Sequence, residues 1–420
     1  MEKLTGKLQP YPWGSRTLIA ELQGRPTPTS SPEAEVWFGA HPVGPAQLGG
    51  RGLDQVIAAD PQTQLGTRVR EEFGDDLPFL IKFLAAAQPL SLQAHPSLEQ
   101  AREGFAREDA AGISRTAGNR NYKDANHKPE LIVAVTEFEA MAGFRPLERT
   151  CELFQELSCP ELDRYLTMLD HEPDHESDNL RALFTTWITI PVVARQELIE
   201  AVVRCSQAYL DAHPAQQEGD SQHDWIRETL ENILHLADRY PGDVGVLGAL
   251  LLNKVTLEPG EAIFLDAGQL HAYVKGLGVE IMANSDNVLR GGLTSKHVDV
   301  PELVRVLKFT TLADPRVSAT RGAGDALVYP VPVPEFELTR YSLTAGEEAT
   351  FTADGPMVAL CTFGDFAQEE AEEADEEGAI LSAGEGAWAS AQEAAAGVKV
   401  VAGSDGAQVF VATAGQRRAQ

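Results

Sequence analysis

In the stretch "QPLSLQAHPS", residues 88 to 97, Ser91, Gln93 and His95 alternate with Leu90, Leu92 and Ala94. Side chains at i, i+2 and i+4 of a strand share a face, so the spacing predicts a hydroxyl, an amide and an imidazole in one row, opposite an apolar row. An imidazole and an amide oxygen side by side are potential metal donors, although alone they read equally as the hydrogen-bonded end of a strand. "NHKPE" (126 to 130) adds Lys128 and Glu130, and Pro129 holds Lys128 extended, so amine and carboxylate project from one side. In "VEIMANSDNVLRGGLTSKHVDV" (279 to 300), Gly291 and Gly292 let the backbone behind Arg290 approach closely, and Lys296 follows. A planar guanidinium beside an amine suits an anion such as phosphate. Lys82 is embedded in "LPFLIKFLAAA", where an unpaired ammonium is costly to bury; it either snorkels to water or belongs to a pocket, and Ser91 a few residues on favours the pocket.

"PGEAIFLDAGQLH" runs Gly, five residues, Asp-x-Gly, two residues, His, from Gly260 to His271. This resembles the second motif of the cupin barrels, with Asp266 where a proline is common, and the resemblance makes His271 a metal ligand at the mouth of a barrel. Gln93, His95, Glu130 and His271 would then supply two imidazoles, a carboxylate and a neutral carbonyl oxygen, a set suited to zinc with room for water or substrate. Iron and manganese accept the same donors.

The elements that must hold these residues change character along the chain. Residues 30–145 show mainly short apolar runs bounded by Gly, Pro and acidic residues, as in "EAEVWFGAHPVGP" and "KPELIVAVTEFEAMAGF", the pattern of strands and turns. From 147 to about 240 the period becomes helical: Trp225, Ile226, Leu230, Ile233, Leu234, Ala237 and Tyr240 recur at three and four until Pro241-Gly242. Strand patterns resume in "LLNKVTLEPGEAIFLDAGQLHAYVKG" and again after 313. The expected fold is mainly β with a helical insertion. A discontinuous cupin-type β barrel, or jelly roll, covers 1–146 and 243–312, a helical domain 147–242, and a smaller cupin-like β domain 313–420. The acidic segment "QEEAEEADEEG" (368 to 378) carries seven carboxylates and no base, and reads as a solvated loop.

Composition narrows the function. Charged residues are 23% of the chain and hydrophobic ones 43%, a globular profile. The formal charge of -29 removes the basic footprint that nucleic acid or an anionic membrane would require, yet leaves room for a small anion in a local cluster of cations. The longest apolar run, "VGVLGALLL", is far shorter than the ~20 residues of a membrane helix. The opening residues carry no signal-peptide core, and the cysteines (Cys151, Cys159, Cys205, Cys361) form no CxxC pair, which fits a reducing cytoplasm.

Nearly end to end, the chain resembles type I mannose-6-phosphate isomerases, also called phosphomannose isomerases. The matching motifs are "YPWGS", "AEVWFGAHP", "QPLSLQAHP", "NHKPE", "LEPGEAIFLDAGQLHAY", "GVEIMANSDNVLRGGLTSKHVDV" and "EFELTRY". The resemblance implies one zinc per chain on Gln93, His95, Glu130 and His271. It places Lys82, Ser91, Arg290 and Lys296 around a substrate phosphate, Lys128 and Glu280 near the sugar, and Trp37 and Tyr273 as walls or ordinary packed aromatics. The implied reaction moves a proton between C1 and C2 of an opened hexose phosphate through an enediol, with Arg290, Lys128 and Glu280 as catalytic candidates. Glu280, Lys128 and a metal-bound water compete for the role of base. Two other readings of the same residues are an iron(II) cupin oxygenase and a sugar-phosphate-binding cupin without turnover. A monomer is expected, with a homodimer left open.

Overall fold

The computed structural model describes residues 1–169, 173–214, 221–322, 324, 326–368 and 380–416. The stretch around Lys82 organises the site half of the molecule. Phe79–Ala86 is a strand whose eight residues are all buried, as a continuous apolar run requires when both its faces are covered. It pairs antiparallel with Glu35–Phe38 on one side and with the second half of the long strand His271–Ala283 on the other. Glu130–Ala134 and then Ala262–Leu265 continue the sheet. Val36, Phe38, Phe79, Ile81, Phe83, Leu131, Val133, Val279 and Ile281 point to one face. There they pack on Leu338, Val358, Leu360, Phe410 and Ala412 of the second sheet. Fully burying each such large side chain contributes about 1.5–3 kcal/mol.

The opposite face of the same strands carries Trp37, Leu80, Leu84, Ile132, Ala134, Met282, Glu35, Lys82, Glu130 and Glu280. Leu84, Ile132 and Ala134 pack with Phe138, Ala140, Val255, Leu257 and Tyr273 from the strands Phe138–Phe144, Leu252–Leu257 and the start of His271–Ala283, while Trp37, Leu80 and Met282 form a small cluster of their own. His271–Ala283 therefore belongs to both layers. Its first residues pair with Leu92–Ala94 and Phe138–Phe144, and its last eight with Phe79–Ala86. The crossing lies at a register shift between Tyr273 and Lys275 followed by Gly276, at φ +124°, where a Cβ would lie 2.5 Å from the Glu137 carbonyl oxygen. Only glycine fits that backbone and that approach.

Among the described residues there are two antiparallel sheets of eleven strands each. The second is built mostly from residues after 320, centred on Val398–Thr413 between Glu337–Leu343 and Met357–Gln368. The strand Glu2–Thr5 joins it through Gly386–Ala389, and Gln47–Leu48 and Arg51–Gly52 follow, so the first and last described strands lie in one sheet. Between the site strands lie the helices Leu147–Leu157, Pro160–Leu166, Glu176–Ile188, Val192–Ala212 and Ser221–Arg239. Their core includes Ile226, Leu230 and Ile233, which the three-and-four spacing selects, and it extends to Leu92, Ala94 and Leu270 at the site. No helix among the described residues is long and apolar enough to cross a membrane.

Two features depart from the sequence reading. The first 146 residues are less purely β than expected, for helices span Leu53–Ala59, Pro61–Phe73 and Leu98–Ala110. The last announces itself through a capping box in which Ser97 and Gln100 exchange side-chain and backbone bonds. The strand at Gln93 is only Leu92–Ala94. Leu90 lies outside it, its amide held by the Tyr273 carbonyl, and packs in the inner layer with Tyr273, whereas Leu92 and Ala94 face the helices. The acidic segment, from residue 369 on, lies outside the described residues.

Gly276→Ala should lower the unfolding free energy by about 1–3 kcal/mol, the usual cost of a strained backbone, in a denaturant titration. An unchanged midpoint would mean that the strand turns elsewhere.

Candidate metal centre and active site

Four neighbouring elements deliver the polar groups. Glu130 opens its strand, three per cent exposed. His271 opens the long strand, and the pairing of His271 with Gln93, and of Gln93 with Arg290, sets Leu92–Ala94 and Leu289–Gly292 alongside. His95 follows Leu92–Ala94 directly and is fully enclosed. His95 Nε2 lies 3.4 Å and His271 Nε2 3.3 Å from Glu130 Oε2.

The second nitrogen of each ring fixes its tautomer. His95 Nδ1 is 2.7 Å from the Asn287 carbonyl oxygen, and His271 Nδ1 is 3.0 Å from that of Gln269. A carbonyl oxygen only accepts, so Nδ1 carries the proton in both rings and each neutral ring turns an Nε2 lone pair toward the carboxylate. His95 Nε2 makes no hydrogen bond despite complete burial. Two lone pairs converging on an anion repel unless a cation lies among them. Bonds of 2.0–2.1 Å to a tetrahedral ion would set donors about 3.3–3.4 Å apart, which is the spacing seen. The donors fit a divalent metal. Gln93 is half-buried, makes no hydrogen bond through its amide among the described residues, and has the position in the pairing to add a neutral fourth donor.

Burial would raise the Glu130 pKa, but Lys128, His95 and His271 outweigh it and hold the carboxyl well below the usual range. Lys128 Nζ reaches Glu130 Oε1 at 2.9 Å, so amine and carboxylate do share one side. Burial pushes His95 down to about 4, which keeps it neutral and able to ligate.

Farther along the same face, Lys82 Nζ lies 2.5 Å from Glu280 Oε2 and 3.7 Å from Glu35 Oε2. Burial alone would lower the Lys82 pKa, yet Glu280, Glu35 and Glu130 hold it above the ordinary value. Tyr273 Oη donates to Glu280 Oε1 at 2.7 Å, and Trp37 Nε1 donates to Glu35 Oε2. Burial raises the Glu280 carboxyl, opposed by Lys82 and assisted by Glu130. Lys82 thus sits in a cage of carboxylates. The charges acting on Lys296 are instead Arg290 and Lys123. Arg290 is half-buried, with its pKa lowered by that burial, and neither Arg290 nor Lys296 has an ion-pair partner among the described residues. In a chain with 63 acidic and 34 basic residues, unpaired neighbouring cations mark a place for an anion. Ser91 is half-buried just before Leu92–Ala94.

Several participants escaped sequence reading. Asn287 is fully buried: its carbonyl orients His95, its Oδ1 accepts from the Lys123 and Asp124 amides, and its Nδ2 donates to the Asp124 and Asn126 carbonyls. It ties the metal donor to the segment that carries Lys123 and leads to Lys128. His41 stands edge-on to Trp37 and 3.6 Å from Asp286. The available signals were the "NSDN" run, rich in side chains that bond backbone, and the histidine in "GAHP".

Fold and site define a mixed α/β protein with two antiparallel sheets and a buried candidate metal site, in which Glu130 shares a sheet face with the Lys82–Glu280 network while His95 and His271 reach it from neighbouring strands. A family model described as phosphomannose isomerase type I, catalytic domain, matches residues 1–147. The mannose-6-phosphate isomerase of Escherichia coli (strain K12) is 39% identical over 373 residues, 87% of this chain and 89% of that one. The human mannose-6-phosphate isomerase is 33% identical over 358 residues, 80% of this chain and 81% of its own. A solved mannose 6-phosphate isomerase bound with zinc and yttrium superposes with a TM-score of 0.84 at 34% identity, covering 99% of this chain and all of that one. The chain belongs to the type I phosphomannose isomerase family.

Enclosure of neutral His95 has a consequence for pH. The unfolded imidazole takes a proton near 6.5, the folded one only at about 4, so with metal removed this contribution to stability is complete above about pH 6.5 and declines as pH falls toward 4. Chelator-treated protein should lose denaturation midpoint across that window more steeply than its His95→Gln variant. Parallel curves would contradict the assignment.

Proposed function

We propose that this chain interconverts mannose 6-phosphate and fructose 6-phosphate, with zinc held by His95, Glu130, His271 and Gln93. What carries the reading is the pair of fixed Nε2 lone pairs turned on one buried carboxylate, beside a half-buried, unpaired Arg290. A zinc ion there would supply positive charge for the oxygen that becomes negative as the enediol forms.

The chain's own groups divide the remaining work. Arg290 and Lys296, with Ser91, hold the phosphate away from the reacting carbons, so that remote binding energy positions the open sugar. Glu280 takes the C2 proton and returns it at C1. Its enclosure, which raises the carboxyl, brings it toward the range a general base needs, while Lys82 and the Tyr273 hydroxyl fix its orientation. Lys82 is therefore assigned to Glu280 rather than to the phosphate. Lys128, bonded to Glu130, balances the metal donors and lies at the sugar side. Trp37 and Tyr273 act through their polar atoms on Glu35 and Glu280 as well as through their rings.

In architecture we assign the strands that enclose this face to a cupin-type jelly-roll barrel formed by 1–146 and 243–312. A helical insertion occupies 147–242, and a cupin-like β domain occupies 313–420, to which strands from the first 52 residues are lent. We place the enzyme in the cytoplasm, as a monomer or a homodimer.

Isomerisation should follow bound zinc: chelation abolishes turnover and zinc restores it. A protein with full zinc occupancy that converts no mannose 6-phosphate would overturn the reading. Glu280→Gln should lower kcat by about 10²–10⁴-fold with metal content unchanged; a variant that loses metal instead would reassign Glu280 to structure. Arg290→Ala should raise KM at least about tenfold, since hydrogen bonds to charged groups contribute about 1.5–3 kcal/mol, and unchanged kinetics would remove it from the site.

A further inference from the structure

A second group of metal-type donors lies in the helical region, apart from the site above. Cys159 precedes the helix Pro160–Leu166, Glu161 sits in its first turn, and Cys205 lies in the helix Val192–Ala212. One ligand atom from each of the three falls within 4.8 Å of the others. Cys159 is buried and Cys205 half-buried, and all four cysteines of the chain are free. In the absence of an ion, the Cys159 thiol donates to Glu161 Oε2 at 3.5 Å. With bonds of about 2.3 Å to sulfur and about 2.0 Å to oxygen, a tetrahedral ion sets such a pair about 3.5 Å apart. The other carboxylate oxygen is engaged elsewhere, for Arg204 Nη2 holds Glu161 Oε1 at 2.9 Å, leaving Oε2 turned to the thiols.

We propose that Cys159, Cys205 and Glu161 form a second, structural site for a soft or borderline divalent cation such as zinc or cadmium, with its fourth position open to water. Charge supports the assignment. Two thiolates, a carboxylate and a divalent ion sum to minus one, and Arg204 brings the group to neutrality. The sulfurs bind as thiolates, so entry of the ion releases their protons: two thiols plus one divalent ion give one dithiolate complex and two protons. Half-exposed Cys205 and exposed Glu161 give the ion a path from solvent. The bound ion would add a further link between the Pro160–Leu166 helix and Val192–Ala212, which the Arg204–Glu161 ion pair and the shared apolar core already join.

The test is a cadmium titration of the full chain after chelation under reducing conditions, followed by thiolate-to-metal charge-transfer absorption and by metal content. The expected result is two equivalents per chain, one of them carrying the thiolate band. Cys159→Ser and Cys205→Ser should each abolish the band and retain isomerisation. If the buried cysteine variant fails to fold, Glu161→Gln at the exposed ligand should weaken the band-forming equivalent about tenfold. A wild-type chain with four reactive thiols and no band would overturn the proposal, leaving ordinary core cysteines. So would a chain in which only two thiols react after unfolding without reductant, since the pair would then be a disulfide.

Discussion

A carboxylate buried with two imidazole lone pairs turned toward it is unstable without positive charge, and the site half of this molecule is arranged around that fact. Glu130 Oε2 faces Nε2 of His95 and of His271 at hydrogen-bond-like distance, but backbone carbonyls have claimed the protons of both rings. Lys128 compensates one oxygen. The other is left for a divalent cation, and a group so deeply enclosed cannot borrow its neutralisation from solvent. The carbonyls of Asn287 and Gln269 thereby decide which atom of each ring binds, and Asn287 in turn is held by the segment between Lys123 and Asn126.

The same sheet face carries a second buried charge system, joined to the first through one strand. His271 and Glu280 are nine residues apart on His271–Ala283, yet the first half of that strand pairs with Leu92–Ala94 and Phe138–Phe144 and the last with Phe79–Ala86, with Gly276 at the crossing. The metal donor and the proposed base are set in register by a backbone bend rather than by a loop, which fits the need for catalytic groups held on rigid elements. Burial raises both carboxyls, and the neighbours decide the outcome. At Glu130 Lys128 and the imidazoles outweigh it and keep the group ionised, whereas at Glu280 it prevails, because a single lysine is shared among three carboxylates.

Much of this was legible in the amino-acid order, for physical reasons that can be named. The alternation around Gln93 and His95, the proline-held Lys128 and Glu130, and the cupin-like spacing to His271 carry local geometry, and pairing two strands places their donors together. The helical period at Ile226, Leu230 and Ile233 reports a buried stripe directly. What escaped depends on contacts distant in sequence. Lys82 reads as a phosphate ligand beside Ser91, but its companion Glu280 lies almost two hundred residues away and reaches it only through strand pairing. Leu90 belongs to the inner layer because its amide joins Tyr273, a bond that alternation along one strand does not register. Asn287 acts through a backbone carbonyl, which every residue possesses, so its type says little about its place beside His95. The helix Leu53–Ala59 has only seven residues and Pro61–Phe73 is broken at Gly66, where φ is 77°, so neither shows a sustained helical period.

The central claim is that Glu130, His95 and His271 enclose a metal ion. Anomalous diffraction at the zinc edge, on crystals of the protein loaded with zinc, tests it most directly. A peak is expected between His95 Nε2, His271 Nε2 and a Glu130 oxygen, at about 2.0–2.2 Å from each, with the Gln93 amide oxygen turned toward it. An absence of anomalous signal between these three side chains, with the imidazoles still bonded through Nδ1 to Asn287 and Gln269, would contradict it.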